Sequence, residues 1–577
     1  MIRFSIAAAV LCAALVGAAP VRTAAAAEDT ATPVTSAPDY NLAQVRLINE
    51  QIAQVWKDYG MSPSPAASDG EWCRRVYLDI LGRVPSVNEL TAFVNDKATD
   101  KKLKLVDKLL FDEDHTEEYA RNWTTLWTNI LIGRSGGTGE DEMTSRAGMQ
   151  KYLRDSFARN KPYDRMVQEL VGATGTSLPG SDKFNGAVNF LVNKLDENGS
   201  QATAMTSQIF LGLQVQCTQC HNHPFNEWKQ EKYWEMNSFF RQTVALRRFV
   251  AGTRDIRVVE LANQDFAGES GDPAEADVFY DLRNQEKRVA FPVFVDGTEI
   301  SKSGYLDESN RREQLAKLIV ASDFLDKTMA NRMWSHFLGY GFTKPIDDLG
   351  PHNPATHPQL LAELGEEFRK ASFDIKELIK WITLSEAYGL SSRITPQNKA
   401  DDPLLGETPK FTHFYLRQMT AEQLYESLIT ATRADKTRGD YEEQEKAKTE
   451  WLRQFVTAFG TDEGGEQTTF NGTIPQALMM MNGDLVKKAT DGSSGSFLHT
   501  IAGSSLSPAE QVNYLAMAAL GRPASRTEVS LANSLLRARM ADGQKQRGQN
   551  AAADPKLAAL QDLWWVYLNT NEFILVH

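Results

Sequence analysis

The sequence predicts a mainly α protein, with multi-helix N- and C-terminal regions on either side of a small β insert. Three observations predict it. Apolar residues recur at helical spacing along most of the chain, several segments open on a Ser/Thr/Asp-x-x-Glu capping pattern, and β-type runs are confined to about 241–305. With 577 residues, 42% hydrophobic and 24% charged, the chain is too apolar for global disorder and too long for one small core. A net charge of −13 and the absence of any long Lys/Arg run argue against nucleic acid as a partner.

Residues 1–27 read as a secretory signal peptide. Arg3 supplies the basic start, 4–16 the short apolar stretch, and small residues within 24–27 the cut. Cys12 would leave with it. No later segment approaches membrane-spanning length, so the mature chain is expected without a membrane span, in the periplasm or secreted.

Residues 28–67 read as a flexible lead-in with a first helix, marked by Leu42, Val45, Ile48, Ile52 and Val55 and ended at Gly60. Ser68-Asp69-Gly70-Glu71 has capping-box spacing and opens a helical region, 68–240. Its first helix, through Cys73, Val76, Tyr77 and Ile80, runs into Leu81-Gly82-Arg83-Val84-Pro85-Ser86-Val87-Asn88-Glu89. Near the other end stands Leu520-Gly521-Arg522-Pro523-Ala524-Ser525-Arg526-Thr527-Glu528. Both read as a glycine-capped helix, a proline turn and a Ser-x-x-Glu start, one helix–turn–helix unit used twice. Trp123 and Trp127, one turn apart, read as core. Glycine-rich loops are expected over 130–141 and 172–186, and a helix resumes near Ser200 and runs through Ile209 and Leu213. A further helical pattern covers 229–240.

The β insert, 241–305, carries runs at 278–282 and 289–295, the second closing at Asp296-Gly297. The helical pattern returns over 306–577. Thr356 and Gln359 are expected to cap one helix and Asp374-x-x-Glu377 another, with a charged helix or linker at 435–450. A Gly/Ser-rich loop is expected over 488–508, and a last helix over about 556–573.

Chemistry concentrates in Cys217-Thr218-Gln219-Cys220-His221-Asn222-His223-Pro224-Phe225. Cys-x-x-Cys-His is the spacing that attaches a c-type haem: two thiols reach the porphyrin vinyls and the next imidazole meets the iron. His223 would stay on the same side of that porphyrin, so it is not a distal ligand. The same residues suit a zinc or other transition-metal site, with sulfur from Cys217 and Cys220 and nitrogen from His221 or His223. They also suit a strained redox disulfide. Cys73, in an apolar stretch, reads as a buried small hydrophobe. A second cluster, His336, Asp347, Asp348, His352 and His357, either binds a metal and moves protons or caps and pairs at helix ends. No nucleophile elbow, phosphate loop or dinucleotide fingerprint is present.

On these residues the chain resembles the large exported proteins of planctomycetes that join a planctomycete cytochrome-c-like domain to a planctomycete-specific C-terminal domain. The N-terminal likeness rests on Arg74-Arg75-Val76-Tyr77-Leu78-Asp79, Asn160-Lys161-Pro162-Tyr163-Asp164, and Phe210-Leu211-Gly212-Leu213 leading into the cysteine stretch. The C-terminal likeness rests on Asn331-Arg332-x-Trp334-x-His336, Asp347-Asp348-x-Gly350, His357-Pro358-x-Leu360-Leu361 and Leu568-Asn569-x-Asn571-Glu572-Phe573. The resemblance implies haem at Cys217, Cys220 and His221, and puts His336, Asp347, Asp348 and His357 in motif positions. It also implies a partner, an exported sulfatase-like protein or a redox partner, and a polysaccharide-related role. The expected function is electron transfer through one c-type haem. The alternative is a non-haem, zinc-like site in a hydrolase or in a binding or scaffold protein acting on surface polysaccharide.

Overall fold

The computed structural model describes residues 38–139, 142–224, 226–249, 256–434, 441–459, 473–545 and 554–577. The expected signal peptide lies outside them, as does Phe225. Helices dominate, and the sheets have three, two and two strands. Asp39–His577 form one unit, and buried apolar side chains from Val45 to Val576 share one continuous cluster. The segments 68–240, 241–305 and 306–577 therefore do not keep separate cores.

The helix Ala43–Asp58 buries Val45, Ile48 and Ile52 completely. It docks on the helix Pro358–Lys370, where Gln44 Nε2 donates to Glu367 at 2.8 Å and Gln51 Nε2 to Glu363 at 3.2 Å. In the next helix, Asp69–Leu81, the Ser68 hydroxyl accepts from Glu71 N at 3.2 Å. The return half of the expected box is missing. Glu71 instead accepts from Arg75 and from Ser392 N, each at 3.2 Å, so a long-range contact has taken the carboxylate.

The repeated unit is real and its match extends to single atoms. Gly82 and Gly521 end their helices in the left-handed region, at φ 76° and 71°. Arg83 donates from both terminal nitrogens to Glu89 at 3.0 Å, and Arg522 does the same to Glu528 at 3.0 Å. Each arginine also donates to the next carbonyl, Val84 or Pro523, at 3.1 Å. Each then grips a second carboxylate: Glu118 at 2.6 and 2.9 Å for Arg83, Glu572 at 2.5 and 2.7 Å for Arg522.

The arginine motif of the first region holds the far end of the chain. Arg74 donates to the carbonyls of Phe573 and Leu575, at 2.7 and 3.1 Å. Arg75 donates to His577 O and Leu390 O at 3.0 Å and to Tyr388 O, and stacks over the Phe414 ring at 3.6 Å. Both are buried, yet their charge is met by carbonyls and, for Arg75, also by a ring and the Glu71 carboxylate.

Strand β1 (Gly175–Thr176) and strand β2 (Thr243–Phe249) flank β3 (Ile256–Asn263), all antiparallel. Strand β4 (Val278–Asp281) pairs with β5 (Lys287–Ala290). The expected run to 295 is cut short because Pro292 cannot donate to the ladder. Strand β6 (Arg417–Gln418) pairs with β7 (Leu575–Val576), so strands are not confined to the insert.

Three further expectations change in the C-terminal region. Thr356 does not cap: its hydroxyl lies 2.7 Å from His357 Nδ1, while Gln359 reaches Glu363. The 488–508 loop contains a short helix, Phe497–Ala502, because the Ser496 hydroxyl caps His499 N. The last helix stops at Leu568, and Thr570 caps a separate turn, Asn571–Ile574. The charged segment forms the helix Tyr441–Phe459, and residues 435–440 lie outside the described ones.

Candidate functional site around Cys217–His223

The helix entering the site ends in one π turn, Ser207–Leu211, and a left-handed Gly212 (φ 64°). Only glycine fits there, because a Cβ would stand 2.8 Å from Thr328 Oγ1 and 2.9 Å from the Leu349 side chain. Leu349 N donates to Gly212 O at 2.6 Å. Asp347 accepts from Gln208 Nε2 at 2.7 Å and Gln214 Nε2 at 2.8 Å. The Asp347-Asp348-x-Gly350 motif thus clamps the base of the cysteine segment. Sequence reasoning did not single out the two glutamines.

Gln216–Gln219 then form a 3₁₀ turn in which Thr218 is buried, its hydroxyl donating to Val215 O at 2.6 Å. Residues three apart eclipse on such a turn, so Cys217 and Cys220 stand on one side. Both are exposed free thiols, whereas Cys73 is buried as expected and its thiol pKa is pushed up by burial. Trp234 Nε1 and Gln230 Nε2 both donate to Gln219 O at 3.1 Å and fix the turn from behind.

The two histidines of the stretch are in different tautomers. His221 Nδ1 lies 2.7 Å from Asn222 O, and a carbonyl only accepts, so Nδ1 carries the proton and Nε2 the lone pair. His223 Nδ1 accepts from Asn226 N at 3.1 Å, so its neutral ring carries the proton on Nε2. His221 is ready to ligate a metal; His223 is held as an anchor of its loop, aided by its N donating to Trp228 O at 2.8 Å.

The structure splits the second cluster. Asp348 pairs with His352 at 2.9 Å, and the His352 ring lies 6.4 Å from that of His223, so this part meets the cysteine loop. His336 lies elsewhere, its ring 5.3 Å from Trp123. His357 is buried between Phe342 and Phe411, at 5.7 and 5.4 Å. Among the described residues no three His, Cys, Asp or Glu side chains converge as a metal-holding group.

Burial pushes the pKa of both His336 and His357 down to about 4. Once unfolded, each ring titrates near 6.5, so the unfolded chain binds more protons between these values. Stability should therefore fall as pH drops from about 6.5 towards 4, by up to about 1.4 kcal/mol per pH unit for each ring. His357→Phe should remove one ring's share of that slope in urea melts run across this range. An unchanged slope would mean that the folded ring already titrates freely.

Two family models match the chain. One, described as a protein of unknown function (DUF1549), spans residues 47–245 and contains the cysteine stretch. The other, also a protein of unknown function (DUF1553), spans 311–468 and contains His336, Asp347, Asp348 and His357. Regions similar to these two families thus follow one another in the order that the resemblance implies; neither match is to a cytochrome c domain. No curated protein and no solved structure matches the chain.

Proposed function

We propose that this is an exported electron-transfer protein that carries one covalent c-type haem on Cys217, Cys220 and His221. The observation that supports it best is the pair of tautomers: His221, directly after the second of two exposed thiols, carries its lone pair on Nε2, while His223 is committed to its loop. A haem there supplies a one-electron iron couple. The chain's own part is to fix the turn through Thr218, Gln230 and Trp234 and to hold the His221 ring by Asn222 O. No helix among the described residues is long and apolar enough to cross a membrane, which is compatible with an exported carrier serving a redox partner.

A second reading rests on the approach of His352, paired with Asp348, to His223 of the cysteine stretch. Under it, a zinc-like ion serves a hydrolase or scaffold acting on surface polysaccharide, with an exported sulfatase-like protein as its partner.

One experiment separates them. Protein exported from a host with c-type maturation machinery should show a Soret band and the mass of one added haem. Cys217→Ser and Cys220→Ser together should abolish both, and His223→Gln should keep both. Wild-type protein at apoprotein mass would refute the haem reading. One zinc per chain, lost in Cys217→Ser, would establish the second.

A further inference from the structure

Strand β2 is the outer strand of the sheet β1–β3–β2, and among the described residues its free edge is unpaired. Which of its backbone groups face outward follows from the ladder. Ser177 N donates to Val259 O at 2.9 Å, so Val259 and Leu261 turn their backbone groups towards the β1 side. The residues between them therefore bond to β2, and Gln264 N donating to Gln242 O at 2.8 Å continues that series. In the register of β2 with β3, the bonded residues are Val244, Leu246 and Arg248. The N–H and C=O of Ala245 and Arg247 point the other way, and no described residue bonds to them.

Such an edge is a template for another strand, and proteins usually guard it with charge. Here the guard is thin. Strand β2 is buried at Thr243 and grows more exposed along its length, every residue from Leu246 to Phe249 being exposed. Arg248 is engaged by Glu260 at 2.8 Å, which leaves Arg247. Leu246 and Phe249, 38% and 51% exposed, add apolar surface to the same strand.

The residues along the edge say what fits it. Two copies of β2 can pair antiparallel across a two-fold axis, provided that like charges do not meet. Centred on Arg247, the pairing would set that arginine against its own mate. Centred on Ala245, it would press Arg247 against Thr243 at the buried root of the strand. Centred on Leu246, it sets Leu246 against Leu246 and Arg247 against the small Ala245. Ala245 and Arg247 then exchange their main-chain bonds on both sides of the axis. Val244 faces Arg248, whose charge Glu260 already meets, and Phe249 is carried towards the other root. We propose that β2 is the contact of a two-fold dimer, in which a second copy of this chain joins its three-stranded sheet to the first through Leu246. The strand is complementary to itself in main chain, charge and apolar contact together.

The test is sedimentation velocity of the full-length protein over a concentration series, with reductant present so that Cys217 and Cys220 cannot link copies. Wild type should dimerise reversibly. Leu246→Lys should weaken the dimer about tenfold or more, since like charges replace an apolar pair at the axis. Leu246→Glu should do the same. Leu246 is an exposed residue, so both variants should melt as wild type does. An equimolar mixture of the two should associate again, because this residue meets itself only across the two-fold axis. Ala245→Pro should weaken the dimer as well, since it removes an outward N–H and no bond of the β2–β3 ladder. Wild type that stays monomeric up to about 0.1 mM would overturn the proposal and leave the edge to a strand of another protein. So would a dimer that the charge variants leave unchanged, because its contact would lie elsewhere. Weakened dimers that the mixture does not restore would overturn the pairing on Leu246.

Discussion

Replacing Arg417 by Met should cost about 3–5 kcal/mol, the usual result of leaving one member of a buried ion pair alone. Asp79 is fully buried and the Arg417 side chain is 2% exposed, with Arg417 Nη2 donating to both carboxylate oxygens at 2.8 Å. The Tyr388 hydroxyl adds a third bond at 2.7 Å. Without Arg417, that hydroxyl would be the nearest donor left for a carboxylate deep in the core. The pair also joins the two family regions, since Asp79 lies in the first and Arg417 in the second. The urea midpoint of Arg417→Met should fall steeply. Asp79→Asn with Arg417→Met should recover a good part of the loss, because the stranded charge is gone. A double variant as unstable as Arg417→Met would show that the pair is not the cause.

What the sequence made legible here was local. The two Leu-Gly-Arg turns could be read because glycine cap, proline turn and Ser-x-x-Glu start all lie within nine positions. The second carboxylate of each fork could not, because Glu118 and Glu572 stand 35 and 50 positions away from their arginines. A signal was there: Glu118-Tyr119 and Glu572-Phe573 echo one another. The arginines at 74 and 75 reach acceptors about five hundred positions on, beyond any local pattern.

The candidate site divides in the same way. The spacing of Cys217, Cys220 and His221 is visible in the letters, but the tautomers of His221 and His223 depend on Asn222 O and Asn226 N, which only the folded loop places. Closeness in number misled for the second cluster. His336 and Trp334 are two positions apart on one helix and therefore point to different sides, His336 to Trp123 and Trp334 to Phe342 beside His357.

The two forks give the sharpest comparison, because the same bonds are made at different depths. The Arg83 side chain is 10% exposed and that of Arg522 35%. Arg83→Met should cost about 3 kcal/mol, the range of charge-assisted bonds lost from a mostly buried site. Arg522→Met should cost about 1 kcal/mol, since water can take over part of the pairing. The pH dependence follows from the carboxylates. Burial alone would raise Glu89 and Glu118, but the Arg83 hydrogen bonds and charge outweigh it and hold both below 4.5. A folded-state pKa held down adds stability above the unfolded value near 4.5, and that stability is lost as pH falls through the folded value. In Arg83→Met the burial is opposed only by Ser86 at Glu89 and by His115 and Arg121 at Glu118, so both carboxyls should protonate at higher pH than in wild type. The gap between wild type and Arg83→Met in urea melts should thus be widest near neutral pH and close as pH drops below about 4.5. A gap that stays constant across that range would mean that Arg83 stabilises the turn by packing over Tyr77, whose ring lies 5.3 Å beneath it, and not by its charge.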